Sequence, residues 1–189
     1  MAATSAKEMI LSEARQIAQA HGYNGMNFRE LADRVGIKPA SIYHHFASKA
    51  DLGAAVAKRY WEDAVANLDA INAEEDDAEA SLRRYPEVFR RSLESDNRLC
   101  LGSFMSAEHD DLPESVMKEV QMFTDVNVAW LSRMLVLAGI VGSDDAAETR
   151  ARAIFASIAG AQLMARSRSD ITLFDTLVGA YRGTGLLPL

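Results

Sequence analysis

The sequence contains little that could cross-link the chain or hold it in a membrane. One cysteine, Cys100, among 189 residues excludes an internal disulfide framework and any zinc site built from several cysteines. No run of eighteen uncharged apolar residues is present, so we expect no membrane span. The first sixteen residues are charged and amphipathic, unlike a signal peptide. These absences predict a cytoplasmic protein that makes no contact with a membrane.

The common motifs of enzymes and metal sites are missing as well. Only four histidines occur, and His109 is the one that lies beyond residue 45. It sits in a Glu-His-Asp-Asp run, but neighbouring helical residues point in different directions and rarely chelate together. There is no second Glu-x-x-His pair, His-Glu-x-x-His motif, phosphate loop or nucleotide fingerprint. We therefore expect no catalytic residues, no metal site and no cofactor.

Charge is distributed unevenly along the chain. Residues 1–60 contain eight lysines and arginines against five acidic residues, a net charge of +3. The other 129 residues contain twelve basic and 22 acidic residues, which gives −10 and accounts for the overall charge of −7. A basic N-terminal part on an acidic body suits a protein that presents one face to a polyanion. Ordinary fluctuation in composition explains the asymmetry equally well when it is taken alone.

Apolar spacing and the small number of prolines predict an all-α fold of about nine helices. We expect a three-helix N-terminal domain at residues 1–50. A larger helical domain follows at residues 51–189. The predicted helices cover residues 5–21, 28–35, 39–45, a stretch that begins after Ser48, 80–95, 97–108, 114–138, 144–167 and 171–182.

The segment from Asn27 to Leu52, NFRELADRVGIKPASIYHHFASKADL, contains the most informative pattern. It predicts two short helices joined by about three residues around Gly36, which is a helix-turn-helix whose second helix can enter the DNA major groove. In that second helix only Ile42 and Phe46 have the character of core anchors. Its other residues are polar, aromatic or basic, so its outer face has the composition of a contact surface.

This pattern resembles the DNA-binding domain of the TetR family of transcriptional regulators over roughly residues 7–57. The resemblance rests on Leu-Ala-x-x-x-Gly, Ile-Tyr-His-His-Phe and Ser-Lys-x-x-Leu at the expected spacing. It implies that Tyr43 and Lys49 bind phosphates and that Arg29 reaches the backbone or an adjacent groove. It also implies that the base-facing side of the recognition helix consists of Lys38, Pro39, Ala40, Ser41 and His44.

Simpler interpretations of the same residues stay open at this point. Tyr43 could be a half-buried aromatic residue and the histidine pair a solvated surface, although the complete motif in register favours DNA contact. His45 could face either the domain interior or the solvent. Residues predicted to form the core of this domain are Phe28, Leu31, Val35, Ile42 and Phe46.

The last two helices are the predicted dimer seam, because a single recognition helix reads few base pairs and a palindrome needs two. The resemblance implies a four-helix interface with a second copy of the chain. The alternative is that both helices are ordinary core elements. The predicted contact residues are Ala153, Ser157, Gly160, Ala161, Phe174 and Leu177.

The body also contains candidate ligand-binding residues, and the resemblance implies that a small-molecule effector releases a repressor from palindromic operator DNA. Aromatic and methionine side chains suit adaptable apolar cavities, although at helical spacing they are usually core. The candidates are Phe89, Cys100, Phe104, Met105, Phe123, Trp130 and Met134. An alternative function is a helical small-molecule-binding or redox-sensing protein, acting through Cys100 near Arg98, with weak or vestigial DNA binding.

Overall fold

The computed structural model describes residues 5–142 and 144–189. Within these ranges the chain forms nine α-helices and one 3₁₀ turn and contains no strand, which confirms the predicted all-α fold. The helices are α1 (Ala6–His21), α2 (Phe28–Val35), α3 (Pro39–His45), α4 (Lys49–Glu74), α5 (Ala78–Glu94), α6 (Leu101–Ala107), α7 (Glu114–Leu137), α8 (Asp144–Arg168) and α9 (Ile171–Gly183). The 3₁₀ turn, His109–Asp111, lies between α6 and α7.

Side-chain caps fix the starts of the short N-terminal helices. The Asn27 side chain accepts hydrogen bonds from the first-turn N–H groups of α2 at 2.8 and 3.3 Å. Ser48 caps α4 by accepting from the N–H of Asp51 at 3.1 Å, and its hydroxyl donates to the Asp51 carboxylate at 2.8 Å. The Glu30 carboxylate pairs with Arg34 at 2.9 Å, so the Asn27 side chain alone supplies the cap of α2.

Residues with positive φ separate the helices. Gly36 ends α2 in the left-handed conformation, with φ 75° and ψ 32°, which produces the turn before α3. Asp96 and Asn97 also have positive φ, at 57° and 53°. The helix predicted from residue 97 therefore begins later, at Leu101. The Asn97 side chain donates instead to the carbonyl oxygen of Arg166 at 3.0 Å.

The chain divides into two compact units, which we call the N-terminal unit and the C-terminal unit. The N-terminal unit comprises Met1–Glu62 and Leu101–Phe123. It holds α1 to α3, the first part of α4, α6, the 3₁₀ turn and the first part of α7. The apolar faces of α1 and α2 and the single anchor of α3 meet in a core that includes Ile10, Ile17, Leu31 and Ile42.

The C-terminal unit comprises Asp63–Cys100 and Thr124–Leu189. In it α5, α8 and α9 pack on one another around a core that includes Tyr85, Phe89, Ile158 and Phe174. Two of the three boundaries between the units fall inside helices, in α4 and in α7, and the third lies directly before α6. The functional division at residue 50 therefore stays a prediction. None of the described helices combines the length and hydropathy needed to cross a membrane.

Candidate nucleic-acid interface

Helix α3 is anchored from one side and exposed on the other. Ile42 is 0% exposed and Phe46, directly after the helix, is also buried. All the remaining residues of α3 are exposed: Pro39, Ala40, Ser41, Tyr43, His44 and His45. The base-facing side predicted from the sequence is therefore a solvent-facing surface. His45, whose orientation the sequence left open, faces the solvent as well.

Tyr43 projects from α3 with 59% of its surface exposed. Its ring rests against the ring of Phe28, with centroids 4.8 Å apart and planes at 58°. Phe28 is half-buried at the start of α2, so its prediction as a plain core residue was incomplete. The contact restricts the Tyr43 ring while most of the side chain stays exposed, and a phenol hydroxyl can donate or accept a hydrogen bond.

Two cations beside α3 differ from the other basic residues of the N-terminal unit. Lys38 is the N-cap residue of α3, is exposed, and makes no capping hydrogen bond. Arg29, in the first turn of α2, is also exposed, and neither side chain makes an ion pair with any described residue. By contrast, Arg34 pairs with Glu30 and Arg59 pairs with Glu8. Arg29 and Lys38 are therefore available to an anionic partner.

Lys49, the first residue of α4, is half-buried and already bound within the unit. Its Nζ donates to the carbonyl oxygen of Asn24 at 3.1 Å and lies 4.7 Å from the centre of the Tyr23 ring. Burial lowers the Lys49 pKa, and the nearby Glu108 carboxylate opposes that shift. An ammonium group has three N–H donors, so the predicted phosphate contact of Lys49 is compatible with the Asn24 bond.

The predicted dimer residues separate into exposed and buried groups. Ala153 and Gly160 are exposed on α8, while Ser157 and Leu177 are half-buried. Ala161 and Phe174 are buried in the core of the C-terminal unit itself, so they do not reach the surface that a partner would contact. Because helical periodicity places neighbours on different faces, the small-residue run of α8 serves both the core and the surface.

Four of the predicted ligand-binding residues lie in the C-terminal unit, and all four are buried: Phe89, Cys100, Trp130 and Met134. The Trp130 ring stacks on Tyr85 at 5.7 Å, and the Tyr85 hydroxyl donates to Asn127 at 2.9 Å. Burial raises the pKa of Tyr85 well above its usual value. Sequence reasoning missed Asn127, because one asparagine in an apolar helix face is not a motif.

A second buried amide belongs to the same unit. The Gln162 side chain accepts from the N–H of Cys100 at 3.0 Å and donates to the carbonyl oxygen of Phe89 at 2.7 Å. Gln162 therefore connects α5, α8 and the segment before α6. The buried position of Cys100 disfavours direct attack by a reagent from solvent, since reactive thiols are partly exposed.

The other three candidates lie in the N-terminal unit: Phe104, Met105 and Phe123. Met105 and Phe123 line a gap whose volume is about 0 Å³ for a water-sized molecule, whereas ligand pockets usually have about 300–1,000 Å³. A larger open groove of about 570 Å³ lies along α7 and α8 in the C-terminal unit and includes Ser132 and Leu137. None of the seven predicted ligand residues lines that groove.

Within residues 5–142 and 144–189, no group of three or more histidine, cysteine or acidic side chains is arranged to hold a metal ion. The Glu-His-Asp-Asp run at residues 108–111 instead forms contacts with the turn after α1, as described below.

The chain is similar to known proteins in both its N-terminal sequence and its fold. Residues 10–56 match the model of the tetR family of bacterial regulatory proteins. A solved TetR transcriptional regulator from Legionella pneumophila superposes with a TM-score of 0.90 at 28% identity, over 97% of this chain and 99% of that one.

Two curated relatives match part of the chain. The HTH-type transcriptional activator FasR of Mycolicibacterium smegmatis is 28% identical over 117 residues, which cover 61% of this chain and 52% of FasR. The HTH-type transcriptional repressor AcnR of Corynebacterium glutamicum is 33% identical over 69 residues, 36% of this chain and 35% of AcnR. The matches thus span about half and about a third of these relatives.

An exposed recognition helix in a three-helix head, followed by a helical body, defines a helix-turn-helix protein of the regulator class. Residues 10–56 thus have the helix-turn-helix of the tetR family of bacterial regulatory proteins, and almost the whole chain shares the fold of a solved TetR transcriptional regulator.

Proposed function

We propose that this protein is a transcriptional repressor that binds a palindromic operator as a homodimer and loses affinity for it when a small molecule binds. The exposed face of α3 is the observation that carries the proposal. Ile42 holds a helix whose every other residue is exposed, and Arg29 and Lys38 flank it without acidic partners. The major groove is about 12 Å wide and accepts one such helix.

The exposed surface of α8 supports the homodimer. Ala153, Ala156 and Gly160 lie on one exposed stripe, and a Cβ added at Gly160 would meet no atom of this chain within 4 Å. Leu163 continues the stripe in the last two turns of α8 and is 56% exposed. Small residues flanked by an exposed leucine let another helix approach closely, and a second copy presents the same stripe.

The buried aromatic cluster of the C-terminal unit supports the effector role. Trp130 has an indole N–H that is buried without a partner among the described residues, next to the ring of Tyr85. A buried, unpaired donor costs free energy that an acceptor on a bound molecule would recover. Effector binding releases DNA only if the effector prefers one conformation over another.

The proposal is tested by selecting random duplexes with the purified protein and titrating the enriched sequence at two salt concentrations. We expect a palindrome, and affinity that falls as salt rises because bound phosphates release counterions. Tyr43→Phe should weaken binding by removing one phosphate hydrogen bond, and Tyr43→Ala should weaken it further. Met122→Ala, at an exposed apolar residue of α7, is the matched control. A palindrome bound equally well by wild type and Tyr43→Ala would place the reading surface elsewhere.

A further inference from the structure

The turn between α1 and α2 is held by residues that lie far away in the sequence. The N–H of Tyr23, just beyond the end of α1, donates to the Glu108 carboxylate at 2.7 Å. The side chain of Asn24 donates to the Asp111 carboxylate at 3.1 Å. Glu108 follows α6 and Asp111 ends the 3₁₀ turn, so one short segment, residues 108–111, binds two successive residues of the α1–α2 turn.

Gly22 makes the approach of Glu108 possible. Its φ of 72° favours glycine, and a Cβ placed on it would lie 2.1 Å from Oε1 of Glu108. The carboxylate thus occupies the space that any other side chain would fill. The carboxylate accepts its hydrogen bond from the peptide N–H of Tyr23, a residue that is 6% exposed. Without Glu108 this N–H would lose its hydrogen-bond partner.

The α1–α2 turn is also bound by the first residue of α4. Lys49 donates to the carbonyl oxygen of Asn24 and lies over the Tyr23 ring, as described above. Only residues 46–48 separate α3 from Lys49. The turn is therefore a shared support, held by Glu108 and Asp111 on one side and by the start of α4 on the other.

We infer that Glu108 and Asp111 are positioning residues for DNA recognition, which fix the α1–α2 turn and through it the start of α4 and the orientation of α3. This inference rests on the proposed function. The competing interpretation is a purely structural contact, which would contribute to stability and leave α3 unaffected. The two interpretations differ in how far the effect of a substitution spreads and in what it does to specific binding.

The first arm of the test needs no DNA. Hydrogen exchange of the free protein is compared for wild type, Glu108→Ala, Glu108→Gln and Asp110→Ala. Asp110 is the control because it lies close to Glu108 in the sequence and its side chain is exposed. We expect Glu108→Ala to accelerate exchange in peptides covering residues 22–26 and also in those covering residues 39–49. Glu108→Gln retains an oxygen acceptor and should stay near wild type. Acceleration confined to residues 22–26 would overturn the inference.

The second arm measures affinity for the selected palindrome and for an unrelated duplex. Loss of a hydrogen bond to a buried donor predicts that Glu108→Ala binds the palindrome about tenfold more weakly. Its affinity for the unrelated duplex should be unchanged, since the basic side chains remain. Wild-type affinity for the palindrome in folded Glu108→Ala would overturn the inference.

The two arms also separate failure of this inference from failure of the proposed function. If wild type selects no palindrome, the proposed function fails, and the exchange at residues 39–49 still decides whether Glu108 positions α3. If Glu108→Ala does not fold, Asp111→Ala takes its place, because it removes only the exposed bond to Asn24. Its effect should run in the same direction and be smaller.

Discussion

The two unpaired cations beside the recognition helix differ in where they are attached, and we expect them to contribute differently to DNA binding. Lys38 is the N-cap of α3, and the N-terminal residues of a recognition helix are the ones that contact base edges. Arg29 lies on α2, which crosses the backbone in this class of motif. Lys38 should therefore act in specificity and Arg29 mainly in affinity.

Substitution of each cation by alanine tests this assignment. Lys38→Ala should reduce the difference in binding free energy between the preferred base pair and the other base pairs by about 1–3 kcal/mol. The reduction should be confined to one position of each half-site. Arg29→Ala should weaken binding to all duplexes. It should also reduce the slope of log K against log salt by about 0.9 per lost phosphate contact, or about 1.8 for a dimer. Titrations of the operator and its single-base variants at several salt concentrations measure both effects.

Arg34 provides the matched control for these substitutions, because its guanidinium already pairs with Glu30. Arg34→Ala should change the salt slope less than Arg29→Ala does. A uniform loss of affinity across all base variants in Lys38→Ala would assign Lys38 to the phosphates instead of the bases.

At the scale of single helices, we expect Ser48 to stabilise the start of α4 and Ser41 to contact DNA. Ser48 caps α4 and bonds to Asp51, whereas Ser41 is exposed in α3. Ser48→Ala should lower the free energy of unfolding by about 0.5–2 kcal/mol. Ser41→Ala should leave it within about 0.5 kcal/mol, as for other surface changes, and weaken operator binding. Urea unfolding and operator titration of both variants check the separation.

A stability loss in Ser41→Ala as large as that in Ser48→Ala would contradict the one-sided anchoring of α3. Its hydroxyl would then belong to the support of the helix and not to its contact surface.

The short helices could be predicted well because their signals are local. Asn27, Gly36 and Ser48 mark the boundaries through caps and a left-handed turn, which depend on residues a few positions apart. The start of α6 could not be predicted in the same way. Asn97 adopts positive φ while its side chain bonds to Arg166, 69 residues further along the chain.

The parts of the candidate site that lie within one helix could likewise be predicted from the sequence. Alternation of anchors and exposed residues in α3 follows from its own sequence, whereas the contact of Phe28 with Tyr43 depends on how two helices cross. The bond between Glu108 and the turn joins residues 85 positions apart. Glu108 drew attention in the sequence only as part of an apparent metal-ligand run, and its actual partner is a backbone N–H.

For the whole molecule, the charge distribution and the dimer proposal belong together. The first 60 residues carry +3 and the remainder −10, so a second copy adds another basic face along with a further acidic body. Acidic bodies repel DNA and favour contact through the basic faces only. A palindrome is read when two recognition helices lie about 34–36 Å apart, so operator affinity depends on the dimer seam.

The seam is tested by placing a charge on the exposed stripe of α8. In a two-fold symmetric dimer Leu163→Glu introduces two carboxylates into one interface, so we expect monomers in sedimentation equilibrium at micromolar concentration. Leu137→Glu is the matched control, because Leu137 is also an exposed leucine, 67% accessible at the end of α7. The Leu163→Glu monomer should bind the full operator no more tightly than a half-site, whereas the control should retain the affinity of wild type. If Leu163→Glu stays dimeric with wild-type affinity, the stripe of α8 is not the seam, and α9 must supply it without α8.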